Sequence, residues 1–339
     1  MAFKRLDNED FIVSADSVSQ TVWTGNSPVL TTFFTSSTQE TDNSGDYYLS
    51  IFNNQIGGAN TETQFDIAFG DKNGGGTTSY NAAVDISRTP SKTVYGQYRT
   101  LILEDENSDF IFGDVTQESF YAINISRARY KEKLLPGSLN LTLSGSGDGA
   151  PLLRLTDNSK DVSLPSFYGT QRAYQIVSGS DGHAYNGTGY TTNSGSYGLF
   201  LPDTSTLLLN SAALDLNDYQ GINLNTTTTP NTPGNNKQKL FRALKGGGSF
   251  RLNCEETITS DYIFIRARNS EFNYSENPSY ISGSTGEIIF DYLINNPQSY
   301  ITTVGMYNDS NELLAVAKLS KPLRKDFTKE SLIRVKLDF

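Results

Sequence analysis

The amino-acid sequence predicts a mainly β protein with two β-sandwich-like domains, a loop-rich β middle region and one short helix. Several short runs alternate apolar and polar residues with a period of two, which is typical of a strand with one buried face. Only 36% of the residues are hydrophobic and 19% are charged, while Gly and Tyr are abundant. This composition favours many short strands joined by polar turns. A chain of 339 residues is long enough for two or three domains.

The clearest alternating runs are residues 139–143 and 333–339, and each is predicted to be a strand with one buried face. More uniformly apolar runs are predicted to be strands that are more fully buried. All of these runs are short and are bordered by Gly, Asn, Asp or Pro. The uniformly apolar runs are residues 47–52, 65–69, 120–125, 262–267 and 313–319.

One segment has helical spacing instead, and it predicts a helix over residues 91–103. Its apolar residues recur at steps of three and four, directly after Pro90 and Ser91, which suit the start of a helix. At this spacing the tyrosines are expected to be core residues rather than an aromatic binding site. The periodic residues are Val94, Tyr95, Tyr98, Leu101 and Ile102.

Two stretches that are rich in turn-forming residues divide the chain. Residues 144–151 and 225–236 contain too few apolar side chains to offset the entropy of ordering, so the first is predicted to be a domain boundary and the second a long loop. The prediction is an N-terminal β-rich domain at 1–145, a loop-rich middle region at 146–245 and a C-terminal β domain at 246–339. Residues 178–198 are predicted to be exposed loops that carry Tyr185, Tyr190 and Tyr197.

Residues that usually perform chemistry are scarce, and the sequence predicts that the protein is not an enzyme. The single histidine, His183, lies in a predicted turn, and the single cysteine, Cys254, excludes an intrachain disulfide. Metal sites and activated Ser or Cys nucleophiles generally need histidine or cysteine partners. We therefore predict no catalytic residues, no cofactor and no metal site, with His183 solvated and Cys254 inert near a strand.

The Gly-rich and acidic runs are also predicted to have structural roles. The glycine runs at residues 73–76, 145–149 and 246–248 lack the Lys-Ser/Thr pair of a phosphate-binding loop, so turns or close backbone contacts are predicted. The acidic runs at residues 42–46 and 157–161 carry oxygen ligands that suit calcium. Neither run matches the EF-hand spacing, so polar turns are predicted.

Charge and hydropathy indicate the class of partner. A net charge of −10 is unfavourable for binding nucleic acid, which needs clustered Lys and Arg. No apolar run is long enough to insert in a membrane or to serve as a signal peptide, so synthesis in a reducing cytoplasm is expected. Residues 1–60 are mainly acidic and residues 318–339 mainly basic, an asymmetry that could guide contacts between subunits.

Several unusual strings occur in one order, within residues 60–140 and 260–339. In this order the chain resembles virion structural proteins of large contractile-tailed phages, notably cyanophage-type myophages, and is akin to their baseplate wedge proteins. The strings are QFDIAFGDKNGGG (64–76), YGQYR (95–99), RARYKEKLLPGS (127–138), EFNYSENP (271–278), YITTVGMYND (300–309) and ELLAVAKLSKP (312–322).

The resemblance implies a role in assembly and offers no catalytic residues. The expected location is the virion tail, in the baseplate, after synthesis in the cytoplasm of a bacterial host. The expected partners are other tail proteins and copies of the chain. The 19 Tyr and 19 Phe residues suit such interfaces. A strand that ends at Phe339 could pair with a neighbour's sheet edge. Residues 272–278 could hold an aromatic corner at an interface or only link two strands.

Alternative functions remain open at this point. The chain could be a neck or fibre-attachment protein of the virion. It could also be a carbohydrate-binding adhesin or tailspike that contacts the host surface through residues 178–198, or a glycan-degrading enzyme.

Overall fold

The computed structural model describes residues 3–36, 47–145, 151–217 and 219–338. It is 41% strand and 13% helical, and its antiparallel sheets include a curled half-barrel, so the predicted mainly β fold is confirmed. Each of the predicted strands overlaps an observed one.

The described residues form nineteen strands and four helices. The strands are β1 (Phe11–Thr21), β2 (Tyr48–Phe52), β3 (Thr63–Asp71), β4 (Phe110–Phe112), β5 (Val115–Gln117), β6 (Ser119–Ile125), β7 (Lys133–Leu134), β8 (Asn140–Ser144), β9 (Leu152–Asp157), β10 (Ser166–Tyr168), β11 (Gln171–Ser180), β12 (His183–Ala184), β13 (Gly198–Leu201), β14 (Thr206–Asn210), β15 (Ser249–Arg251), β16 (Asn253–Ala267), β17 (Ser299–Tyr307), β18 (Leu313–Lys325) and β19 (Ser331–Asp338). The helices are α1 (Pro90–Leu103), α2 (Ser211–Leu214), α3 (Asn236–Gly247) and α4 (Asp291–Ile294).

The chain divides into two compact units at places that differ from the predicted boundaries. A continuous unit comprises residues 18–256, and a discontinuous unit comprises residues 1–17 with 257–339. Strand β8 pairs with β9 in the register Ser144↔Leu152, so both sides of the boundary predicted at 145/146 belong to one sheet. The boundary predicted at 245/246 falls inside α3.

The continuous unit is built on an eleven-stranded sheet with the order β15-β8-β9-β11-β13-β14-β6-β3-β2 and with β10 and β12 paired to β11. Its pairs are antiparallel, and its central strands β13 and β14 are buried along their whole length. Strand β6 shows why the sheet has two apolar faces. Phe120 and Ala122 belong to one core cluster, while the alternate residues Tyr121 and Ile123 belong to the other.

Helix α1 packs with β3 and begins one residue before its predicted start. Thr89 is the N-cap, and its hydroxyl accepts a hydrogen bond from the Lys92 amide at 3.4 Å. Tyr95 is buried as predicted, but Leu101 is 54% exposed and is not a core residue.

Helix α3 was not predicted, since its start lies in the stretch interpreted as a long loop. Leu240, Phe241 and Leu244 form its buried face and join the core cluster that also contains Trp23. Gly248 ends the helix in the left-handed conformation at φ 63°, a common helix terminator. The single predicted helix is therefore an underestimate, and the loop-rich middle region ends in regular structure.

The discontinuous unit has a much smaller core. Strand β16 pairs with β19 from Ser260↔Asp338 to Ala267↔Ser331, and β17 and β18 form a separate hairpin. Ile263, Ile333 and Val335 form its buried apolar cluster. Strand β19 is last in the sheet order β1-β16-β19, and Phe339 lies outside the described residues, so pairing of this strand with a neighbour remains a prediction.

Candidate interaction surface

The histidine and the cysteine occupy the environments that the sequence predicts. The His183 side chain is 59% exposed, and its Nδ1 lies 2.8 Å from Asp161 Oδ1. Cys254 is 3% exposed and belongs to the core cluster of the continuous unit.

The carboxylates of residues 157–161 bind different groups and do not converge. Asp157 is buried and accepts hydrogen bonds from the amides of Gly137 at 2.7 Å and Ser159 at 3.3 Å. Burial raises the pKa of Asp157. Asp161 instead accepts from the Ala184 amide at 2.7 Å. In the described ranges no three His, Cys, Asp or Glu side chains are grouped to hold a metal ion. The acidic run at residues 42–46 lies outside those ranges.

Two glycine runs are close backbone contacts, as predicted. A Cβ atom on Gly75 would lie 2.0 Å from the Thr228 carbonyl oxygen, and one on Gly247 would lie 2.0 Å from the Thr142 carbonyl oxygen. Any side chain at either position would displace the neighbouring backbone. The third run, residues 145–149, lies outside the described residues except for Gly145.

The three tyrosines of residues 178–198 do not form one exposed platform. Tyr185 is 50% exposed, but Tyr197 is only 2% exposed and its hydroxyl donates to the Gln220 carbonyl at 2.5 Å. Tyr190 is half-buried, and a Cβ atom on Gly113 would lie 2.9 Å from its ring. The prediction of exposed loops is wrong at Tyr197, because this residue packs into the core of the continuous unit.

A polar cleft of about 400 Å³ lies beside Trp23 in the continuous unit. Arg129 Nη1 lies 2.6 Å from Glu62 Oε2 and donates to the Thr24 hydroxyl at 2.5 Å. The Thr24 hydroxyl and then the Arg129 guanidinium lower the pKa of Glu62. A general acid at neutral pH needs the opposite shift of its pKa, which Glu62 does not show.

The discontinuous unit exposes large apolar side chains in two places. We call the first the apolar segment, residues 287–294, which includes α4. A run of this kind would be expected to be buried. Its exposed members are Ile289 (52%), Phe290 (41%), Tyr292 (73%) and Ile294 (54%).

We call the second the hairpin face, the exposed residues Tyr300, Leu314, Val316, Lys318 and Lys321 of β17 and β18. Leu314 is 67% exposed and Val316 is 58% exposed, so the prediction that residues 313–319 are more fully buried is wrong. The alternate residues Ala317 and Leu319 pack against the Ile263 cluster. Strand geometry therefore directs Leu314, Val316 and Lys318 away from that cluster.

A buried lysine holds the start of the connection between β16 and β17, residues 268–298, which contains the apolar segment. We call this connection the excursion. Lys325 is completely buried, and its Nζ donates to Asn269 O at 3.0 Å, Asn273 Oδ1 at 2.9 Å and Asp326 O at 3.0 Å. The Ser299 hydroxyl donates to the Phe272 carbonyl. The first residues of the excursion are thus tied to the start of β17 and the end of β18.

The excursion also contains the aromatic corner that residues 272–278 were predicted to hold. The rings of Tyr274 and Tyr280 meet edge to face with centroids 6.1 Å apart. The Tyr274 hydroxyl donates to the Gly286 carbonyl at 2.8 Å. This hydrogen bond joins the corner to the residue next to the apolar segment. The position of the corner at an interface stays a prediction.

We expect the discontinuous unit to lose stability as the pH falls from about 4 to about 2. Asp326 is 1% exposed, and the Thr328 hydroxyl and Arg324 guanidinium lower its pKa to about 2. A carboxylate with a lowered pKa stabilises the fold above its unfolded pKa, and this contribution is lost as the pH falls through the folded pKa. Thermal unfolding followed by circular dichroism across this range should show a shallower pH dependence for Asp326→Asn. Asp309→Asn, at an exposed turn, is the matched control, and equal slopes for wild type and Asp326→Asn would contradict the prediction.

Neither the helices of the described residues nor comparisons with known proteins identify a family or a function. Within the ranges that the structure describes, every helix is too short or too polar to cross a lipid bilayer. No family model matches the chain, and comparisons with curated proteins and with solved structures gave no match.

Proposed function

We propose that this protein is a structural subunit of a tailed-phage virion, a baseplate wedge component of a contractile tail that acts through subunit interfaces. The observation that carries the proposal is the exposure of the apolar segment and the hairpin face in a unit with a small core. Monomeric proteins rarely expose large contiguous apolar patches, and those that exist usually mark interaction sites.

Part of the sequence resemblance lies in the same unit as the two exposed patches. Three of the strings that resemble virion proteins, at residues 271–278, 300–309 and 312–322, lie in the discontinuous unit. The first contains Tyr274 of the aromatic corner, and the other two supply all five residues of the hairpin face. The residues that carry the resemblance are thus next to or within the exposed surface.

The mechanism that follows is association. Aromatic side chains are enriched where interfaces are most completely desolvated, and Phe290, Tyr292 and Tyr300 are the aromatic residues of the two patches. The expected partners are other tail proteins and further copies of this chain. Of the three tyrosines that motivated the adhesin alternative, Tyr197 is buried, whereas Tyr185 is exposed.

Locating the protein in purified virions tests the proposal. Mass spectrometry and cryo-electron microscopy of the tail should find this chain in the baseplate. In phage that encode Phe290→Asp with Tyr292→Asp, incorporation should fall by about tenfold or more, since an interface hot spot is worth about 2 kcal/mol or more. Leu164→Asp, at a residue 80% exposed in the continuous unit, is the control and should be incorporated normally.

Either of two results would overturn the proposal. Absence of the chain from the particle would exclude a virion role altogether. Density only at a distal fibre tip, with glycan binding that is lost in Tyr185→Ala, would support the receptor-binding adhesin instead.

A further inference from the structure

The two exposed apolar patches of the discontinuous unit carry opposite charges. The apolar segment contains Glu287 and Asp291, and the hairpin face contains Lys318 and Lys321, all four exposed. None of these four side chains forms an ion pair with another residue of the described chain. Arg324, close by on β18, differs because its Nη2 pairs with Asp326 Oδ2 at 2.9 Å. Four charges are thus available to a partner.

The patches also match in their apolar content. The apolar segment presents an aromatic pair, Phe290 and Tyr292, and the hairpin face presents the aliphatic residues Leu314 and Val316. An aromatic side chain packed on aliphatic ones buries a large area at a low cost in side-chain entropy. The two patches therefore complement each other in both charge and shape of side chain.

One copy of the chain leaves this complementarity unused. Tyr292 is 73% exposed and Val316 is 58% exposed in the single chain, so neither patch covers the other. A second copy supplies both complementary patches at once. A nucleic-acid partner is disfavoured, because the apolar segment carries carboxylates that would repel phosphates.

We propose that the apolar segment of one copy docks on the hairpin face of a second copy. The inference rests on the proposed function and names the partner for its exposed surface. Phe290 and Tyr292 pack on Leu314 and Val316, while the carboxylates pair with the lysines and set the register. In a twofold pair each copy contributes one patch of each kind to two equivalent contacts, which closes the assembly.

Charge reversal gives a sharp test with the full chain in solution. Variant A carries Glu287→Lys with Asp291→Lys, and variant B carries Lys318→Glu with Lys321→Glu. In either variant alone both patches have the same sign, so self-association measured by sedimentation velocity should weaken by about tenfold or more. In an equimolar mixture each patch of A meets an opposite patch of B. The mixture should therefore associate as the wild type does.

Two controls separate charge pairing from damage to the fold. Circular dichroism should show unchanged secondary structure in both variants, since the four residues are exposed. Lys92→Glu, at an exposed position on α1 in the continuous unit, should leave the association unchanged. Tyr292→Asp should abolish it, and mixing this variant with A or B should not restore it.

Two outcomes would overturn the inference. A wild-type chain that is monomeric at every concentration would assign the patches to a different tail subunit, and detection of that monomer in the baseplate would leave the proposed function standing. Association of the wild type without restoration in the A and B mixture would reject this pairing of patches. Association in solution combined with absence from virions would reject the proposed function alone.

Discussion

Replacement of Phe250 by alanine is expected to lower the free energy of unfolding of the continuous unit by about 3–5 kcal/mol. Phe250 is completely buried on β15, with its ring centroid 4.8 Å from that of Trp23 and 5.6 Å from that of Phe65. Its backbone also pairs with Leu30 through hydrogen bonds of 2.9 and 3.0 Å. The alanine variant loses these aromatic contacts and leaves a cavity beside Trp23 and Phe65.

The measurement uses the intrinsic fluorescence of Trp23, the only tryptophan of the chain. Since Trp23 touches the Phe250 ring, its emission during urea unfolding reports on this core. Phe167→Ala, at a residue 63% exposed on β10, is the matched control and should change the free energy by less than about 0.5 kcal/mol. A loss below about 1 kcal/mol for Phe250→Ala would show that the site collapses around the smaller side chain.

Replacement of Lys325 by methionine is expected to destabilise the discontinuous unit by about 2–3 kcal/mol. Methionine keeps most of the side-chain volume but removes the ammonium that binds the oxygens of Asn269, Asn273 and Asp326. Each hydrogen bond from a charged group is worth about 1.5–3 kcal/mol, and burial of the charge costs several kcal/mol in return. The three bonds together exceed that cost, and the variant leaves the buried Asn273 Oδ1 without its ammonium donor.

Hydrogen exchange measured by mass spectrometry should locate the effect. Faster exchange is expected at residues 268–273 and at the start of β17, the two places that these contacts hold together. Lys329→Met, at an exposed position outside both patches of the same unit, should leave the exchange unchanged. A Lys325→Met variant as stable as the wild type would show that desolvation of the charge cancels its hydrogen bonds.

Local patterns in the sequence predicted seven of the nineteen described strands and one of the four helices. The steps of three and four after Pro90 predicted α1, because a buried helical face has this period whatever it packs against. Helix α3 was missed although Leu240, Phe241 and Leu244 have helical spacing and Gly248 follows them. The preceding run of Asn, Thr and Pro residues outweighed that signal, and a search for the terminal glycine would have found the helix.

Burial was harder to predict, because it depends on which elements meet. The apolar run at residues 313–319 has the composition of a buried strand, yet Leu314 and Val316 are exposed since β18 pairs only with β17 in the described chain. The opposite error occurred at Tyr197, where a turn-rich neighbourhood suggested exposure. The candidate surface was therefore invisible to periodicity, although the charges on it could be read from the sequence.

Because of the way the chain is divided, the two units are completed at different times during synthesis. The continuous unit is complete once residue 256 has left the ribosome, and domains that emerge early can fold as units while translation continues. The discontinuous unit must wait for β19, because β16 pairs with β19 along its length from Ser260 to Ala267. Its exposed apolar patches are therefore synthesised after the continuous unit is complete. Such an order would keep nascent chains on one polysome from sticking to one another before they can assemble.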